Sequence, residues 1–249
     1  MERKIRIGAV SYLNTKPLLY GLQHAPIRDD IELTLDYPSN LVKALKNDQI
    51  DIGLLPVAAL LDISDYQIVS DYCIGTEGEV ASVCVFSEVP LDEIDTVLLD
   101  YQSRTSVMLC RILFAKHWKK SVQFINAADE TYIDKIKGNV AGLVIGDRAL
   151  KIRDRFTYIY DLGLGWKEMT GMPFVIAVWV TTSKFQSDVV EKYSNAFQLG
   201  INLIPVIVGQ NLFLEYNLFD YFTKNISYSL DSSKIKGLKA FLAYIEGME

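Results

Sequence analysis

Apolar, β-branched runs alternate with stretches of helical period from the first residues of the chain, the pattern of an α/β protein with a largely parallel sheet. Residues 4–10 read as a short strand, and Pro17 stands where a first helical turn tolerates proline, with Asn14 and Thr15 as candidate caps. Residues 32–37 read as a second strand. Ser39 is a candidate cap for a helix that turns Leu41, Val42 and Leu45 to one side, and residues 51–57 return as a buried strand. These segments make one βαβαβ unit.

Two further apolar runs, 80–86 and 174–181, bracket a block of about ninety residues with its own alternation. Within it the pattern predicts strands at 96–100, 122–125 and 141–145, a helix at 105–118 and a short helix at 132–137. The ordering predicts two α/β lobes, 1–86 with 180–249 and an inserted 87–179, joined by two crossing hinge segments with a ligand cleft between them. After residue 181 the pattern is helical, apart from an ambiguous stretch at 221–228. Residues 193–214 carry no charge over 22 positions, long enough to span a bilayer. The amides of Asn195, Gln198, Asn202, Gln210 and Asn211, with Pro205, favour two buried helices meeting near Pro205 instead.

Composition narrows the classes. With 249 residues, 50% hydrophobic and 22% charged, the chain is neither disordered nor a disulfide miniprotein. A net charge of −6 lacks the basic excess of a phosphate-backbone binder, so nucleic acid is not an expected partner. Cys73, Cys84 and Cys110 are odd in number, lie in apolar stretches and form no C-x-x-C pair, which fits reduced thiols in a cytoplasmic protein. The first residues have no apolar run of signal-peptide length, so neither secretion nor a membrane is expected.

Phosphate-loop, dinucleotide and nucleophile-elbow motifs are absent. His24 and His117 have no ligand-like spacing, so no metal site and no histidine triad is expected. His117 reads as a structural residue at a helix end. The remaining candidates are turns after strands, where an open parallel sheet presents ligands to strand ends and helix starts. Ser11 to Thr15 offers hydroxyls, an amide and main-chain N–H groups, and reads equally as ordinary capping. Ser103, Arg104, Thr105 and Ser106 join hydroxyls and a guanidinium to the positive end of a helix, a cradle for a carboxylate or simply a cap. In Gly146-Asp147-Arg148, glycine permits close backbone approach, while Asp147 reads as a cap or a base. Ser82 is a polar interruption on an apolar strand, for which a satisfied buried hydroxyl is the plain reading.

Five ordered segments together are more specific than any one turn. Residues 8–18 (GAVSYLNTKPL), 51–57 (DIGLLPV), 103–106 (SRTS), 145–150 (IGDRAL), and Trp166 with 170–174 (TGMPF) closely resemble the chorismate dehydratase family of the futalosine route to menaquinone. The resemblance runs from Ile5 to about Trp179, with Met172 where that family has leucine. It implies a fold similar to type II periplasmic binding proteins, reused as a cytosolic enzyme that needs no cofactor. It also implies a lyase reaction in which chorismate loses water to give 3-[(1-carboxyvinyl)oxy]benzoate. The family's catalytic asparagine falls on Asn14 and its catalytic serine on Ser82, with Ser11, Arg104, Thr105, Ser106, Gly146 and Asp147 as expected substrate-binding residues. The base remains open between Asp147 and the substrate's own enolpyruvyl carboxylate, and the protein is expected as a monomer or homodimer. The alternatives are a non-catalytic receptor for a small carboxylate and the sibling naphthoate synthase of the same pathway. That sibling uses an active-site histidine, and both histidines here lie outside the shared motifs.

Overall fold

The computed structural model describes residues 3–182, 187–211 and 213–248. In chain order the strands are β1 (Ile5–Ala9), β2 (Ile31–Leu35), β3 (Ile52–Pro56), β4 (Gln67–Thr76), β5 (Val83–Ser87), β6 (Thr96–Leu99), β7 (Gln123–Asn126), β8 (Val140–Ile145), β9 (Tyr158–Asp161), β10 (Phe174–Thr181) and β11 (Ser227–Ser229). The helices are α1 (Lys16–His24), α2 (Pro38–Lys46), α3 (Arg104–Ile112), α4 (Gly146–Ile152), α5 (Leu162–Thr170), α6 (Ser187–Asn202), α7 (Ile204–Gly209), α8 (Leu218–Asp220) and α9 (Ser232–Glu246). They fall into two compact units, Met1–Gly75 with Val175–Ser232, and Thr76–Phe174 with Ser233–Glu249.

The first unit is built on a six-stranded sheet of order β11-β4-β10-β3-β1-β2. β1 pairs in parallel with β2 and β3, as the βαβαβ reading predicts, while β10 is antiparallel to β3. Ile7, Leu18, Leu22 and Leu54 are fully buried in its core. Helices α1 and α6 cross at a glycine contact. A Cβ on Gly21 would lie 1.9 Å from the Ala196 carbonyl oxygen, and one on Gly200 would lie 1.8 Å from that of Pro17. Only glycine allows the two backbones to approach this closely. The contact fixes where α1 begins, and so the loop that precedes it. The cap expected at Ser39 is not the observed one: Pro38 takes the first turn of α2, with Tyr37 at the cap position. Residues 193–202 form the end of α6 and residues 204–209 form α7, with Pro205 in the first turn of α7. Among the described residues no helix is long and apolar enough to cross a membrane.

The second unit has a five-stranded sheet of order β7-β6-β8-β5-β9. β6 is parallel to β7 and β8, whereas β5 runs antiparallel to β8 and β9. This arrangement brings the carboxyl ends of β6, β8 and β9 to the same edge as the amino end of β5. Cys84, Phe86, Leu98, Tyr132 and Val144 share its core. The motif around residues 166–174 is a helix stop. Gly171 ends α5 at φ +72°, Thr170 Oγ1 lies 2.8 Å from the Trp166 carbonyl oxygen, and Trp166 Nε1 donates to the Pro173 carbonyl at 3.1 Å. The C-terminal helix α9 packs here: a Cβ on Gly237 would lie 2.2 Å from the Pro173 carbonyl oxygen. The aromatic cluster of Trp166, Phe174 and Phe241 completes the contact.

Candidate functional site

Ser11 and Asn14 belong to the first unit, and the other six predicted residues to the second. In the first unit the loop follows the carboxyl end of β1, where an open parallel sheet presents its ligands. Thr15 closes it. Its hydroxyl lies 2.8 Å from the Val10 carbonyl and 2.7 Å from that of Tyr12, and accepts from the Tyr12 N–H at 3.2 Å. Asn14, expected to share the capping, does not cap α1. Its Oδ1 is buried and has no hydrogen-bond partner. Its main-chain carbonyl accepts from the Tyr228 hydroxyl at 3.0 Å. Burial pushes the Tyr228 phenol well above its ordinary range, so this donor stays protonated. Ser11 is exposed.

In the second unit, Ser82 and Gly146 meet at the sheet edge, where the Gly146 N–H donates to the Ser82 carbonyl at 2.7 Å. Gly146 sits at φ +64°, a conformation that favours glycine. Ser82, expected on a strand, lies just before β5 in a turn, because Ala81 at φ +62° breaks the extended run. The serine is 1% exposed. Asp147 does not cap α4: Ile145 occupies that position, and Asp147 stands in the first turn, where its charge complements the helix end.

Ser103 caps α3, its hydroxyl accepting from the Ser106 N–H at 3.1 Å and lying 2.9 Å from the Ser106 hydroxyl. Thr105 is fully buried and Arg104 is exposed. The capping reading therefore holds for Ser103.

The edge also contains residues that sequence reasoning missed. Asp100, immediately after β6, is buried, and its carboxylate accepts from Arg148 Nη2 at 2.8 Å, the Gln102 N–H at 2.8 Å and the Tyr132 hydroxyl at 2.7 Å. Burial opposes the Arg148 charge, but the Asp100 carboxylate outweighs it and raises the guanidinium further. The Arg148 guanidinium lies 5.2 Å from the centre of the Tyr101 ring. Its Nη1 is buried with no hydrogen-bond partner. A buried arginine nitrogen beside one already neutralised is a donor held ready for a planar anion. Its sequence signal is the arginine of Gly146-Asp147-Arg148, next to the aspartate that is the more obvious candidate.

A cavity of about 720 Å³ in the first unit, lined by Tyr72, Gln198, Phe222 and Tyr228 among others, contains none of the eight predicted residues. Among the described residues no lysine, arginine or histidine lines it, so none of these supplies the positive charge that an organic dianion requires. Among the described residues no three His, Cys, Asp or Glu side chains cluster closely enough to hold a metal ion.

The family model for menaquinone biosynthesis matches residues 5–247. The chain belongs to that family. It is 24% identical over 258 residues to the chorismate dehydratase of Thermus thermophilus, covering 94% of this chain and 93% of that one. Its fold is similar to that of an Archaeoglobus fulgidus protein, with a TM-score of 0.72 at 15% identity over 98% of this chain and 97% of the other. A Candida albicans protein described as having the generic periplasmic binding protein fold matches with a TM-score of 0.63 at 14% identity, covering 100% of this chain and 91% of that one. The expected binding-protein fold is thus observed. In this family member both orphaned polar atoms named above, Asn14 Oδ1 and Arg148 Nη1, lie in the segments that carry the resemblance.

Proposed function

We propose that this protein is a chorismate dehydratase, a hydro-lyase that converts chorismate to 3-[(1-carboxyvinyl)oxy]benzoate and water. The observation that carries the reading is Asn14 Oδ1, an acceptor removed from water and left without a donor in the loop after β1. A buried amide oxygen without a partner is costly to a folded protein unless a ligand supplies the bond. The C4 hydroxyl of chorismate supplies one.

Dehydration removes the C3 proton and the C4 hydroxyl, and the carboxylate conjugated through C1=C2 takes up charge as the proton leaves. Donors on that carboxylate stabilise the extended enolate by a few kcal/mol each, roughly the oxyanion-hole range. Arg148 Nη1 and the α3 N-terminus with Arg104, Thr105 and Ser106 serve this role, and Gly146 and Ser11 offer main-chain and hydroxyl donors around the ring. Expulsion of hydroxide from C4 then gives the aromatic product, with the released proton completing the water. Ser82 and Asn14 orient the leaving hydroxyl and the enolpyruvyl carboxylate, which we take as the base in preference to Asp147. A protein of net charge −6 holds a dianion by such local donors, not by its overall field.

The test is incubation of purified protein with chorismate, without added metal or nucleotide, following loss of diene absorbance and appearance of the benzoate product. Turnover supports the reading. Saturable binding without turnover would replace it with the second reading, a small-carboxylate receptor, which the periplasmic-binding-protein fold of the Candida albicans neighbour favours.

A further inference from the structure

The backbone that leads into Ser82 is strained and held from two sides. Ala81 lies at φ +62°, and the Ser82 N–H donates across it to the Val80 carbonyl at 2.7 Å. A three-residue turn closed around a central positive φ is the rare form of the γ-turn, unfavourable for any residue with a Cβ. Such a turn persists only where its surroundings impose it.

Two charged side chains do so here. Asp161 ends β9 opposite Cys84 in register, and its carboxylate reaches back along β5. It accepts from the Ala81 N–H at 2.7 Å and from the Val80 N–H at 3.1 Å, besides capping α5 through the Leu164 N–H at 3.0 Å. Capping α5 needs only the last of these bonds. From the other side Arg153 Nη1 donates to the Ala81 carbonyl at 2.7 Å. Asp161 is 8% exposed, and burying a carboxylate for a helix cap alone is a poor exchange. With Gly146 bonded to the Ser82 carbonyl, the main chain is pinned immediately before and after the serine.

We infer that Asp161 and Arg153 are positioning residues that hold the Ala81 turn so that the Ser82 hydroxyl is presented in one direction to the substrate. The inference rests on the reading of Ser82 as a catalytic residue.

The test is a double-mutant cycle on turnover of chorismate by the full chain, with Asp161→Asn and Ser82→Ala alone and together. The amide keeps the size of Asp161 but replaces one of its acceptor oxygens with a donor. Asp161→Asn is expected to lower kcat at least thirty-fold with KM within two-fold, and to cause no further loss in the Ser82→Ala background. A kcat within two-fold of wild type, or an equal loss in both backgrounds, overturns the inference while leaving the dehydratase reading intact. Wild-type protein that binds chorismate without turnover overturns the dehydratase reading and this inference with it, whereas Ser82→Ala at full rate overturns the catalytic role of Ser82 and this inference but leaves the dehydratase reading standing. Should Asp161→Asn fail to fold, Arg153→Met takes its place in the same cycle, with Arg153→Lys, which keeps a donor, expected to retain more of the rate.

Discussion

The Asp51 carboxylate receives three hydrogen bonds from one residue: the Arg6 main-chain N–H at 2.8 Å, Nε at 3.2 Å and Nη2 at 2.7 Å. The contact ties the loop before β3 to the amino end of β1 and so fastens the two parallel strands to each other at that end. Burial works against the Asp51 charge, but the bonds from Arg6 and from Arg3 outweigh it and hold the carboxyl at about 2, below its ordinary 3.8. Because the folded-state value is depressed, the stabilisation is present above pH 4 and is lost as pH falls from there through 2. It amounts to roughly 2 kcal/mol. Denaturant titrations of wild type and Asp51→Asn should differ by that amount at pH 7 and converge near pH 2, and a constant difference across this range would remove Asp51 as its source.

The glycine contact between α1 and α6 predicts a local intolerance. A methyl group on Gly21 meets main-chain atoms of α6, which cannot swing aside as a side-chain end can. Gly21→Ala should destabilise by about 2 kcal/mol, within the range of core overpacking. For a chain of this size that lowers the Tm by roughly 4–8 °C. Gly209→Ala, where no atom lies within 4 Å of the added carbon, is the matched control and should leave the Tm within a degree or two.

The roles proposed for Asn14 and Asp147 separate kinetically. Asn14→Ala removes the orphaned acceptor and should lower kcat by roughly 10²-fold or more, the scale of losing one well-placed polar group in a closed site. Asp147→Asn should leave turnover and its pH profile near wild type, since the substrate carboxylate is the proposed base. If Asp147→Asn instead abolished turnover with KM unchanged, the base would be Asp147.

Local signals along the chain were legible, and long-range ones were not. β1, β3, β6 and β8 announced themselves as short apolar runs, and Ser103 as a cap, because each of these depends on neighbours within a few residues. β4 leaves no clear trace in the pattern because Ser70, Asp71 and Tyr72 interrupt its apolar run, and β9 none because Tyr158 and Tyr160 are half-polar positions in a short segment. The turn before Ser82 looks like strand in the sequence because composition carries no sign of a positive φ at alanine. Its supports were out of reach altogether: Asp161 lies 81 positions from Val80, and only the register of β5 against β9 brings them together. Arg148 is equally hidden, since its partner Asp100 lies 48 positions earlier, just beyond β6, and only the parallel pairing of β6 with β8 brings the two strand ends together.

Arg148 carries the last prediction. Its Nη2 is committed to Asp100 and Gln102, while Nη1 is buried and free of partners. Removing the charge altogether would leave the buried Asp100 carboxylate without its cation, a loss of about 3–5 kcal/mol that would confound any kinetic effect. Arg148→Lys avoids this by keeping a positive charge beside Asp100 while giving up the second arm of the fork. The variant should remain folded and, because Nη1 is proposed to stabilise the enolate, lower kcat/KM for chorismate about tenfold, equivalent to roughly 1.4 kcal/mol, with kcat falling as well as KM rising. An unchanged KM and kcat would remove Arg148 from the substrate's surroundings and leave the α3 N-terminus and Arg104 as the proposed donors to the ring carboxylate.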